Sequence, residues 1–288
     1  MLFRSGGGLI RRLAVPRLHV RWILPAVLLV GVFVVWRSAG AVRWRDLAPG
    51  LEFAIIRGEP YCRSGSTAIA VLRLDPERVR LRVHHFSQAG GRPLDVVEWQ
   101  RYTGALAVFN AGQFYPDWRY MGLLASGGKW LSREAHPGYQ AALVADRRGP
   151  GQGARVLDLT TFKKDPDSLG WNEVAQSFML FDSTGALRVR RTDRIANRTI
   201  VGEDHHRRIL VMVSEGAYTL ADFAYVLQHS RLQLKHAMSM DGGRESQMVV
   251  VRGSFRYATF GLWTGEEEHP AAPDARAPLP AVIGVELP

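Results

Sequence analysis

Cysteine is almost absent: Cys62 is the only one, so no intramolecular disulfide can form and the fold must stand on its core. No His-Glu-x-x-His, Walker-type Gly-Lys-Ser/Thr or Gly-x-Gly-x-x-Gly pattern occurs, which removes the usual signatures of zinc peptidases, P-loop enzymes and dinucleotide binders. No internal repeat of fixed period is present either, which argues against solenoids and propellers. Acids are missing from the first 45 residues, where eight arginines fall before Asp46. The net charge of +10 therefore describes an arm, and the remainder carries only +2. Because no basic patch with interleaved aromatics recurs beyond that arm, nucleic acid is not an expected partner.

The arm has a membrane explanation. Trp22 to Trp36 is uncharged, with a Trp at each end and Arg21 and Arg37 just outside. As a helix it would span about 22 Å, short of a hydrocarbon core of roughly 30 Å, and interfacial tryptophans with snorkelling arginines cover part of the deficit. Residues 1–21 then read as a basic cytoplasmic arm, 22–41 as a transmembrane or signal-anchor segment, and 42–50 as a linker. The positive-inside rule sends the rest across an inner membrane. A rival reading is a signal peptide cleaved after Ala41, since Ala39-Gly40-Ala41 has the small-x-small form. Either way residues 51–288 are expected outside the cytoplasm, as one α+β domain of twisted mixed β-sheet with a few helices. The oligomeric state is not legible.

Strands are expected over Leu51–Arg57, Thr67–Leu74 and Arg78–Phe86, the last with strict alternation and a wet arginine face. A short helix follows over Pro93–Tyr102, and then a buried strand that ends in Asn110-Ala-Gly-Gln-Phe114. Aromatics Phe114, Tyr115 and Trp118 lie just beyond, a combination suited to a sugar, whose C–H face packs on rings while amides meet its hydroxyls. Further strands are read over Tyr139–Ala145, Val174–Asp182, Arg208 to the carboxylate and glycine at Glu215-Gly216, and Ala281–Glu286. Thr219 can cap a helix to about Ser230 whose stripe of Leu220, Phe223, Ala224 and Leu227 belongs to the core. That helix returns the chain to a strand carrying Asp241, so two neighbouring tips would present Glu215 and Asp241.

Met238-Ser-Met-Asp-Gly-Gly-Arg-Glu-Ser246 is the densest signal: an apolar run stops at a carboxylate and two glycines. Gly242 and Gly243 permit a tight turn and close approach of a ligand to backbone N–H groups. An ordinary Asp-Gly hairpin turn is the plainer reading of that stretch alone.

In order, Asn110-Ala-Gly-Gln-Phe, Gln176-Ser-Phe-Met-Leu, Asn197-Arg-Thr-Ile-Val-Gly202, the strand to Glu215-Gly216, the Thr-Leu helix and Met240-Asp-Gly-Gly-Arg-Glu-Ser246 resemble the phosphodiester glycosidase family over roughly residues 51–288. The resemblance implies hydrolysis of a sugar-1-phosphodiester at the anomeric carbon, in envelope or exopolysaccharide glycans. On it, Asp241 and Glu215 are the expected catalytic pair. Asn110, Arg198, Gly242, Gly243, Arg244 and Ser246 are the expected substrate contacts, with Arg198 on the phosphodiester and Asn110 on sugar hydroxyls. A membrane-tethered binder of phosphorylated glycans that does not cleave them is the alternative. Where the family has an Asp-Gly-Gly-Gly-Ser pattern this chain has Arg244 and Glu245, which puts charge beside the site. No cofactor is called for; a divalent metal is left open, and His205 and His206 read as turn residues.

Overall fold

Period-two alternation of apolar side chains sorts this chain into layers. The computed structural model describes residues 41–149, 153–161, 166–265 and 276–288, and residues 42–288 form one unit. The basic arm and, apart from Ala41, the expected membrane segment lie outside the described residues. Among the described residues no helix is long and apolar enough to cross a membrane.

The first eight strands are β1 (Arg45–Ala48), β2 (Leu51–Arg57), β3 (Ala68–Leu74), β4 (Arg80–His85), β5 (Ala107–Asn110), β6 (Leu124–Ser126), β7 (Lys129–Ser132) and β8 (Ala141–Arg147). There follow β9 (Ala154–Asp158), β10 (Trp171–Phe181), β11 (Thr199–Asp204), β12 (Ile209–Ser214), β13 (Leu234–Ser239), β14 (Met248–Arg252), β15 (Phe255–Thr259) and β16 (Ala281–Glu286). Among the described residues two α-helices, α1 (Val96–Thr103) and α2 (Leu220–His229), complete the regular elements together with short 3-10 turns. The larger sheet runs β1-β2-β3-β12-β11-β13-β10-β6-β7, with β8 and β9 branching from β10; the smaller runs β15-β14-β5-β16-β4.

Alternate residues of one strand enter different cores. On β3, Leu72 faces the space between the sheets and Val71 faces α2; on β12, Val211 and Met212 divide in the same way. In the smaller sheet Phe109 points inward, whereas Val108 packs with Trp99 of α1. The result is four layers: α2, larger sheet, smaller sheet, α1.

Both helices start where the sequence provides a cap. Asp95 accepts from the backbone of Val97 and Glu98 while Glu98 returns a bond to Asp95 N–H, and Gly104 closes α1 at φ 67°. Thr219 accepts from Asp222 N–H at 3.0 Å and starts α2.

The sheet-rich α+β class is as expected, but three expectations change. Every strand pairing is antiparallel, where a mixed sheet was expected. The crossover through α2 joins strands that run the same way, yet β11 lies between them and is antiparallel to both, just as β16 lies between β4 and β5, which the chain joins through α1. For the same reason the tips of β12 and β13 are not adjacent. Finally, the stretch read as a linker holds β1, which pairs with β2 across a turn at Pro49-Gly50.

Candidate active site

The chain leaves the larger sheet at the end of β13 and enters the smaller one at β14, so residues 240–247 bridge the two. Backbone pins hold this bridge. Met240 N–H donates to Thr199 O at 2.9 Å, Asp241 N–H to Ala111 O at 3.1 Å and Gly243 N–H to Asn197 O at 2.9 Å. Gly243 takes φ 74°, a left-handed turn that a side chain would strain. A Cβ on Gly242 would lie 2.9 Å from Asn197 O and 3.4 Å from Arg198 Nη1, so glycine is what lets the bridge close onto Arg198.

Asp241 lies in a cleft of about 810 Å³ that is also lined by Arg188, Arg190, Arg194, Arg198, Gly242 and Gly243. One Asp241 oxygen accepts from Gly242 N–H at 2.9 Å; the other accepts no hydrogen bond among the described residues. Desolvation in the crowded cleft pushes this carboxyl up to about 8, and the nearby charge of Glu245 adds to the rise. The Gly242 N–H and the Arg198 charge pull the other way. Burial likewise raises Glu245 itself. The proton on Asp241 is thus held into the neutral range, where an ordinary aspartate has lost it.

Arg198 is aimed by the protein. Its Nε donates to Tyr218 O at 2.9 Å and its Nη2 to Arg194 O at 2.8 Å. Nη1 and the second Nη2 hydrogen form the edge that remains for an anion, so the fork expected of Arg198 is narrowed to that edge. Burial, and after it the charge of Arg194, lowers its pKa to about 10, which leaves it charged at neutral pH. Arg188 is tied to Asp182 at 3.0 Å and to Gln140 at 2.6 Å. Arg190 is exposed on the rim.

The other expected contacts divide. Gly242 and Gly243 line the cleft. Asn110 is a correction: only 1% exposed, it spends all four of its hydrogen-bonding positions inside the protein. Nδ2 donates to Ala111 O and Asp241 O at 3.1 and 2.9 Å, and Oδ1 accepts from Thr199 Oγ1 and Gln247 N–H at 2.7 and 3.2 Å. It has nothing left for a sugar and serves to position the Asp241 backbone. Ser246 is also corrected: fully buried, its hydroxyl meets Thr199 Oγ1 at 2.8 Å. Arg244 does not line the cleft.

Glu215 is not brought to Asp241. With β11 in between, its oxygens accept from Ser66 Oγ at 2.9 Å and Tyr257 OH at 2.7 Å, and it does not line the cleft. The acid beside Asp241 is Glu245, one of the two charges that stand where the family pattern has glycine.

Two buried amides, Asn197 and Gln176, lie within the motifs without being among the expected site residues. Asn197 donates to Ser214 O at 2.9 Å and accepts from Leu262 and Trp263 N–H at 2.8 and 2.9 Å. Gln176 accepts from Leu123 and His136 N–H at 2.9 and 3.0 Å and donates to Tyr139 O at 2.8 Å, fixing the 136–139 wall. The available signal was an amide set in an apolar strand, where a polar group must be satisfied. His205 and His206 occupy a turn, and among the described residues no group of three or more His, Cys, Asp or Glu could hold a metal ion.

A single strand-tip carboxyl facing an arginine-lined cleft defines a site for an anionic substrate open to acid–base chemistry. The sequence model of the phosphodiester glycosidase family matches residues 103–286, more than half of the chain. The chain belongs to that family of glycosidase-type hydrolases. The match begins later than the expected residue 51.

Among solved structures, the chain is similar to the catalytic domain of zebrafish N-acetylglucosamine-1-phosphodiester alpha-N-acetylglucosaminidase, a form auto-inhibited by its pro-peptide. The TM-score is 0.59 at 16% identity, covering 86% of this chain and 87% of that one. It is also similar to a hypothetical protein from Synechocystis, with TM-score 0.58 at 13% identity, covering 86% of this chain but only 64% of that one. At these identities the likeness shows the fold. No curated protein matches.

Proposed function

We propose that this chain hydrolyses a sugar-1-phosphodiester, with Asp241 as the base that deprotonates water for attack at the anomeric carbon and Arg198 as the contact for the phosphodiester. The observation that carries this reading is the placement of Asp241 in one cleft with four arginines. An anion entering there meets positive charge from Arg188, Arg190, Arg194 and Arg198, and phosphate needs its charge stabilised more than it needs a strong proton donor. Water activation suits a carboxyl that titrates near 8, because such a group is a stronger base than an ordinary aspartate once ionised. Desolvation is the main source of that basicity, and repulsion from Glu245 adds to it. Glu215, tied to Ser66 and Tyr257, supports the fold beside the site rather than the reacting atoms.

The substrate we propose is an envelope or exopolysaccharide phosphodiester, reached by a domain exported behind an inner-membrane segment at residues 22–41, or secreted if the chain is cleaved after Ala41. Support for export is the uncharged Trp22–Trp36 run and the arginines before it.

The deciding experiment incubates the full chain with N-acetylglucosamine-1-phosphodiester and glucose-1-phosphodiester model compounds, with and without EDTA. Free sugar is expected from wild type, about 10²–10⁴-fold less from Asp241→Asn, and weaker phosphodiester binding from Arg198→Ala. Undiminished turnover by Asp241→Asn removes that residue from the mechanism. Binding without turnover by wild type instead makes the chain a glycan binder.

A further inference from the structure

A second concavity of about 370 Å³ lies on the far side of a wall of rings from Asp241. It is lined by Tyr115, Trp118, His136, Asp117, Glu134 and Arg119, among others. The His136 ring packs tilted against Tyr139 and Tyr139 tilted against Phe178, with ring centres 3.9 and 4.3 Å apart. Phe178 lines the Asp241 cleft and His136 lines this one, so the two share one aromatic partition.

The second cavity is built rather than incidental. Trp118 is held at φ 69°, a left-handed conformation costly for a bulky residue, and its indole packs on Phe114 with ring centres 5.4 Å apart. Arg119 is paired with Asp117 at 2.6 Å and lies over the Tyr115 ring at 5.0 Å. That leaves Tyr115, 38% exposed, oriented before any ligand arrives. Rings flanked by carboxylates match a sugar ring, whose C–H groups pack on π faces and whose hydroxyls donate to Asp117 and Glu134. The charge runs opposite to that of the Asp241 cleft: one arginine is offset by Asp117, and Glu134 adds a negative charge, which disfavours a phosphate or uronate here. The volume falls in the roughly 300–1,000 Å³ range of small-molecule sites.

We infer that this cavity is a subsite for an uncharged sugar residue of the same glycan whose phosphodiester occupies the Asp241 cleft. The substrate is then an oligo- or polysaccharide with its anionic linkage at one point, and not a lone sugar phosphodiester. The inference rests on the proposed function for the identity of the glycan, while oligosaccharide binding itself needs no turnover.

The test is calorimetric titration of the full chain with cellotetraose, maltotetraose and N-acetylchitotetraose, none of which carries phosphate. At least one is expected to bind, inorganic phosphate should not displace it, and Tyr115→Ala should weaken it about tenfold. Because Tyr115 is exposed, its truncation spares the core; Tyr115→Phe keeps the ring and should keep the affinity. Failure of all three sugars to bind overturns the subsite, as does binding that is indifferent to Tyr115→Ala or competed by phosphate. Neither result depends on hydrolysis: a chain that cleaves phosphodiesters and ignores neutral tetrasaccharides refutes the subsite alone, and one that binds them without cleaving refutes the hydrolase reading alone.

Discussion

The pH dependence of turnover is the sharpest test of how Asp241 works. Its carboxyl is pushed up to about 8 by desolvation and then by Glu245, against the pull of Gly242 N–H and Arg198. With a midpoint there, about 1% of Asp241 is ionised at pH 6 and about 90% at pH 9, since each pH unit changes the ratio of base to acid tenfold. If the ionised form activates water, kcat/KM rises by about a hundredfold from pH 6 to its plateau, along a single limb centred near 8. Glu245→Gln removes the repulsion and should move that limb to lower pH while leaving the fold in place. The assay is release of free sugar from an N-acetylglucosamine-1-phosphodiester, read as kcat/KM from pH 5.5 to 9.5 for wild type and Glu245→Gln. A flat or falling profile through pH 6 to 9 refutes Asp241 as the base. A limb that Glu245→Gln leaves unmoved refutes the coupling between the two acids.

Three further outcomes follow from the same contacts. Because the Asp241 pKa is raised in the folded chain, between about pH 4 and 8 the fold holds a proton that the unfolded chain releases, and stability falls as pH rises through that window. Asp241→Asn lacks this loss and should be more stable than wild type above pH 8, by about 1–3 kcal/mol after allowing for solvent in the cleft, with the difference shrinking toward pH 4 in urea titrations. Asn110→Ala deletes four buried hydrogen bonds, strands the Gln247 N–H and leaves the Thr199 hydroxyl with Ser246 alone; it should cost about 2–4 kcal/mol in the same titrations, and a loss under about 1 kcal/mol would contradict its bracing role. Gly242→Ala drives a methyl against Asn197 O and Arg198 Nη1 and should lower kcat/KM about ten- to hundredfold by displacing the bridge; wild-type kinetics would show that the close approach is not needed.

Much of the frame was legible because burial imposes a period. Leu51–Arg57 and Ala281–Glu286 are strands at the expected bounds, and Thr219 caps α2 as its side chain allows. Arg80 and Arg82 face solvent from β4 while Leu81 and Val83 are buried, as strict alternation requires. The four residues of β1 are too few to show a period, so their pairing with β2 was read as a linker. The site was legible in part. Asp241, Gly242, Gly243 and Arg198 converge because an apolar run ending in Asp-Gly-Gly marks a strand tip. Asn110 and Ser246 were assigned to a ligand because type and position do not reveal whether a polar group faces inward. Glu215 was paired with Asp241 on chain proximity through α2, and only the sheet order shows β11 between them.

The bridge from β13 to β14 is aimed almost entirely by main chain: Met240, Asp241 and Gly243 donate to three carbonyls, and Asn110 grips the Asp241 carbonyl. The arginines 188, 190 and 194 sit instead on an irregular segment between β10 and β11. Floor and rim are therefore separable parts. The floor inherits its precision from two sheets and is indifferent to the side chains above it, so the rim can be redrawn for another anion, a longer aglycone or a different sugar without re-aiming the acid.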